Sequence, residues 1–103
     1  MRKVEEEEVC TAFVLGESKT MGNTTSTGDT LSLHGNVIAK RENGRIYATL
    51  AGWPTPTTRS RLNALCNIMG FRRGFWQEQG HQYFGARASY FHSIEPDQWV
   101  VLT

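Results

Sequence analysis

Two short stretches carry side chains able to do more than pack. In Thr57-Thr58-Arg59-Ser60-Arg61, three hydroxyls and two guanidinium groups fall within five residues, just after Thr55-Pro56, a pair suited to starting a helix. The first turn of a helix presents free N–H groups and a partial positive charge, where an acidic side chain is usual. Arginines at that place need something to offset them, so Thr57, Thr58, Arg59 and Arg61 form a candidate site for phosphate or carboxylate. In Phe71-Arg72-Arg73-Gly74-Phe75-Trp76, basic and aromatic groups interleave, as they do where rings stack on bases and arginines hold phosphates. Trp53, Trp76 and Tyr83 are the candidate stacking residues. Each stretch also has a plainer reading, in which the arginines pair within the fold and the rings fill the core of a small domain.

Chemistry of other kinds leaves no pattern in the sequence. No nucleophile with its base, carboxylate pair or glycine-rich phosphate loop stands at a recognisable spacing, and His34, His81 and His92 are scattered. Cys10 and Cys66 have neither a CxxC spacing nor a His placed to complete a metal quartet, so we expect two reduced thiols, no metal and no cofactor. The expectation is a protein that is not an enzyme.

Charge is near balance at +1 but unevenly placed. Residues 1–21 are acidic, led by Glu5 to Glu8, whereas residues 40–87 hold eight basic side chains against two acidic ones. Lys40, Arg41, Arg45, Arg59, Arg61, Arg72 and Arg73 therefore make a candidate basic face for an anionic partner. With 103 residues, 39% of them hydrophobic, one globular core is enough, and no apolar stretch has the roughly 20 residues of a membrane span. We expect a cytoplasmic protein with no membrane partner.

The elements that must position these residues follow from local pattern. We expect residues 1–20 to be an acidic N-terminal extension, frayed at first and carrying one short strand over 9–15, and residues 21–103 to be a single compact α+β domain. Gly16 to Asp29 reads as a loop, and Thr30 to His34 as a half-buried strand. Asn43-Gly44 suits a type I′ turn, which sets Glu42 opposite Arg45 and Ala39 opposite Ala48, with Val37, Ala39, Ile46, Ala48 and Leu50 on the core face. Leu62, Leu65, Cys66 and Met69 predict a helix over about 56–69 that stops at Gly70. Two further hairpins are expected, one turning at Glu78-Gln79-Gly80 and one joining Ser89–Ile94 to Gln98–Leu102 through Glu95-Pro96-Asp97. The fold class is α+β, an antiparallel sheet of hairpins packed on a single helix.

The tracts Met21-Gly22-Asn23-Thr24, Leu31 to Asn36 and above all Gly52-Trp53-Pro54-Thr55-Pro56-Thr57-Thr58-Arg59-Ser60-Arg61-Leu62-Asn63 resemble a family of small bacteriophage accessory proteins. The resemblance implies that Met21 lies near that family's start. It also implies a stoichiometric binder that inhibits a host target such as a defence system, with no catalytic residues. The expected partner is thus a host protein or nucleoprotein complex in the host cytoplasm. Direct binding of nucleic acid or a nucleotide is one alternative, and a small virion or scaffold component is another.

Overall fold

A computed structural model describes residues 3–86 and 90–103, with side chains from residue 7 onward. The elements run α1 (Lys3–Val14), β1 (Ser18–Met21), β2 (Thr24–Thr27), β3 (Thr30–Leu33), β4 (Asn36–Glu42), β5 (Arg45–Ala48), α2 (Pro56–Ile68), β6 (Gly74–Glu78), β7 (His81–Ala86), β8 (Tyr90–Ile94) and β9 (Val100–Val101). The class is α+β with antiparallel strands, as expected. The described residues form two helices rather than one, and their strands form two sheets: six in the order β1-β2-β3-β4-β5-β9, and three in the order β6-β7-β8.

The first correction concerns the N-terminal segment. Val9, Cys10, Ala12 and Phe13 are buried while Thr11 is exposed, the i, i+1, i+3, i+4 stripe of a helix rather than the alternation of a strand. Residues 9–15, expected as a strand, therefore belong largely to α1, which packs on α2 and on β1 to β3. Gly16 to Asp29, expected as a loop, contains the β1–β2 hairpin. Its polar inward side chains are satisfied in place: Ser26 Oγ donates to Glu17 O at 2.7 Å and accepts from Gly28 N–H at 3.2 Å.

The β4–β5 hairpin has the expected register, with Ala39 opposite Ala48 and Glu42 opposite Arg45 across the positive-φ pair Asn43 (53°) and Gly44 (76°). Its core face differs at one point. The β3–β4 register slips between Leu31 and Ser32, so Ile38 and Ala39 both turn inward and Val37 is left 38% exposed. The bulge exchanges Val37 for Ile38 in the core.

Helix α2 matches its expected span. Thr55 Oγ1 caps it by accepting from Thr58 N–H at 3.2 Å, and Pro56 fills the first turn. Phe71 N–H returns to Cys66 O and Gly70 N–H to Asn67 O, the paired hydrogen bonds of a Schellman stop with Gly70 at φ 78°. Leu62, Leu65 and Cys66 meet Val9, Phe13, Leu31, Ala39, Ala48 and Leu50 in one core under the large sheet.

The β6–β7 hairpin forms as expected, but the last hairpin does not. Strand β8 pairs with β7, whereas β9 crosses to the large sheet and pairs with β5, Tyr47 opposite Val101. Buried Ile94 belongs to one sheet and buried Val100 to the other, with buried Leu102 just past β9 donating its N–H to Ile46 O. The Glu95-Pro96-Asp97 segment therefore bridges layers, held by Gly52 N–H on Pro96 O at 2.9 Å. Ser89, the expected start of that strand, lies outside the described residues.

Candidate functional site

The expected basic face is not assembled in one place, because most of its cations are spent on the fold. Residues 59 and 61 are about 200° apart around a helix, so their side chains diverge. Arg61 is 3% exposed and donates from Nε to Thr24 Oγ1 at 2.9 Å and from Nη2 to Asn23 Oδ1 at 3.2 Å. Arg59 donates from Nη1 to Pro54 O, Gln77 Oε1 and Gln82 Oε1 at 2.9–3.1 Å, tying α2 to the small sheet. Thr58 is buried with its hydroxyl 3.0 Å from Thr55 Oγ1, and only Thr57 of that pair faces solvent.

Arg41, near the end of β4, reaches the C-terminal end of α1 and caps it. Its Nη2 donates to Phe13 O at 2.9 Å and Val14 O at 3.1 Å, its Nη1 to Gly28 O, and its guanidinium lies 5.1 Å from the Phe13 ring centroid. Arg73 donates to Leu102 O at 2.7 Å and stacks on Phe71 and Phe84. Lys40 lies on the outer face of the large sheet, 4.3 Å from the Trp99 centroid and 3.3 Å from Glu42 Oε2. Arg45 and Arg72 are exposed and make no ion pair among the described residues.

Aromatic residues converge where the cations do not. Alternation along β6 and β7 sends Phe75 and Phe84 into the core and Trp76 and Tyr83 to the opposite face of the small sheet. There Trp76 stacks on Tyr83 with centroids 5.9 Å apart, and Phe91 of β8 meets both edge-on at 5.4 and 5.9 Å. Phe91 is 48% exposed and neighbouring Tyr90 75% exposed. Sequence reasoning named Trp76 and Tyr83 but missed Phe91, whose alternation with buried Ile94 and pairing beside Gly85 could have placed it. Gly85 is required there: a Cβ would stand 2.5 Å from Phe91 Cα and Tyr90 O. Trp53, 60% exposed, lies apart beside a cleft of about 360 Å³ lined by Leu33, His34, Ile38 and Leu50.

Asn63, also missed, fixes the small sheet to the helix. Its Oδ1 accepts from Phe75 N–H at 2.7 Å and its Nδ2 donates to Phe75 O at 2.9 Å, as a neighbouring strand would. Beside it an open groove of about 990 Å³ runs past Arg59, Asn63, Asn67, Trp76 and Gln77, and another of about 450 Å³ continues past Arg72 and Arg73. Among the described residues no cluster of His, Cys, Asp or Glu could hold a metal ion. Burial pushes the Cys66 thiol up to about 11, the opposite of an activated nucleophile. Among the described residues no helix is long and apolar enough to cross a membrane.

The sequence matches the family model described as Kyanoviridae Gp96 protein over residues 1–100, so the segment before Met21 lies within the matched span. No curated protein and no solved structure matches the chain.

Proposed function

The chain belongs to the Kyanoviridae Gp96 protein family, a phage protein family, and from that premise we propose that it is a non-enzymatic accessory protein that binds and inhibits a host protein in the host cytoplasm. The observation that carries the reading is the ring cluster of half-buried Trp76 and Tyr83 with exposed Phe91, on the face of the small sheet opposite buried Phe75 and Phe84. Large rings held by one another lose little freedom on binding, and such residues supply much of the energy of protein interfaces. On this reading the binding face is the aromatic cluster rather than the basic residues. A strand of nucleic acid is favoured by Arg72 beside Trp76, but Arg41, Arg59, Arg61 and Arg73 are engaged internally, which leaves few cations to follow a phosphate backbone.

The test is capture from nuclease-treated host lysate by the tagged protein, compared with a Tyr83→Ala/Phe91→Ala double variant. A retained host protein that the variant binds at least about tenfold more weakly, while circular dichroism shows the variant still folded at the assay temperature, is the expected result. A catch that vanishes with nuclease, or that the double variant keeps in full, refutes the reading.

A further inference from the structure

The two grooves along the seam between α2 and β6 share Asn63, Asn67, Phe75 and Trp76, and so form one channel. Arg59 stands at one end, Arg72 and Arg73 at the other, and Trp76 lies between. The charges of Arg59 and Arg73 are fixed but not cancelled, and Arg72 is exposed. Among the described residues, Arg59 donates only to neutral acceptors, Arg73 donates to the Leu102 carbonyl, and Arg72 meets no acceptor. Glu7, at the Arg59 end, is the one carboxylate among the lining residues. Positive charge held in position at both ends favours an anionic occupant and reduces the ordering cost of binding it.

Resting on the host-protein reading, we propose that this channel takes an extended acidic segment of the partner, with carboxylates at positions i and i+4 and an apolar or aromatic side chain at i+2. The spacing follows from lengths. From Arg59 to Asn67, which lines the channel beside Arg72, α2 rises about 12 Å, and four residues of extended chain cover about 13 Å. Positions i, i+2 and i+4 of an extended chain share one face, so the two carboxylates reach the ends while the middle side chain meets Trp76. The backbone also has a place to bind. Strand β6 is the edge of its sheet, Asn63 takes the outward N–H and C=O of Phe75, and alternation gives the next outward pair to Gln77. A nucleic-acid strand fits this lining less well: of its rings Phe75 is buried, which leaves Phe71 and Trp76 rather than a long succession of exposed ones.

The test uses the full chain with Trp53→Phe and Trp99→Phe, both exposed positions, which leaves Trp76 as the fluorescent reporter. The probes are a peptide of about ten residues with an Asp-x-Phe-x-Asp centre, its Asn-x-Phe-x-Asn counterpart, and a single-stranded oligonucleotide of similar length. The acidic peptide is expected to shift Trp76 emission and to bind at least about tenfold more tightly than either other probe, and Arg72→Ala to weaken it about five- to tenfold. Equal binding of the two peptides, no binding by either, no effect of Arg72→Ala, or tighter binding of the oligonucleotide overturns the proposal. Lysate capture separates the two failures. A partner lost by Tyr83→Ala/Phe91→Ala but held in full by Arg72→Ala overturns the channel alone, whereas a partner held in full by both overturns the host-protein reading itself.

Discussion

Replacing Arg41 with alanine should cost stability rather than binding. Its guanidinium satisfies three carbonyls, those of Phe13, Val14 and Gly28, and covers the Phe13 ring. Two of those carbonyls close α1, where a cation is favoured by the helix dipole. Hydrogen bonds from a charged donor contribute about 1.5–3 kcal/mol each when buried, but Arg41 is only half-buried and the three share one side chain, so about 1 kcal/mol apiece is a fair scale. The loss is then about 3 kcal/mol, a fall in melting temperature of roughly 12–24 °C for a domain of this size. Arg45→Ala, at an exposed position on the next strand, should stay within about 0.5 kcal/mol. Thermal melting by circular dichroism reads both, and hydrogen exchange should show α1 opening first in the Arg41 variant. If Arg41→Ala melts within about 2 °C of the wild type yet fails to capture the partner, then Arg41 acts at an interface and its capping role is refuted.

Asn63→Ala should lower stability by about 1–3 kcal/mol, because it leaves both the N–H and C=O of Phe75 without their partner. Asn63→Asp should recover only the bond from the N–H, and urea titration of the three proteins checks the order. Cys66 gives a pH dependence whose sign is fixed by its raised value. The folded state holds the thiol proton more tightly, from 9.0 up to about 11, so the contribution is complete below 9 and is lost as pH rises toward 11. The loss amounts to about 3 kcal/mol at most, and the stability of wild type minus that of Cys66→Ala, measured by urea at pH 8, 9.5 and 11, should shrink by that order. A difference that is flat across this range removes the burial argument.

Much of the fold could be read where local chemistry decides conformation. Asn43-Gly44 sets a hairpin and its register, and Thr55-Pro56 with Gly70 sets both ends of α2. The segment Val9–Val14 was misread because its apolar residues are β-prone in type, although their spacing is helical and the glutamates before them are helix formers. Strand β9 was assigned to the wrong neighbour because pairing across layers depends on which core takes Val100 and Leu102, and a turn sequence does not carry that choice. For the site, Trp76 and Tyr83 could be found by composition, but their meeting with Phe91 required the pairing of β7 with β8. The arginines show the reverse case: their number is plain in the sequence, and their engagement with carbonyls and amides is a matter of three-dimensional placement.

The route of the chain through the large sheet also orders events in time. Strands β1 to β4 each pair with the strand that follows, so four ladders close across short turns and can zip from neighbour to neighbour on the microsecond scale of hairpin formation. The fifth ladder joins Tyr47 to Val101, and its ends meet only after the intervening helix and the whole small sheet have found their places. Refolding should therefore show an early meander and a late closure at β9, with Leu102 sealing the core last.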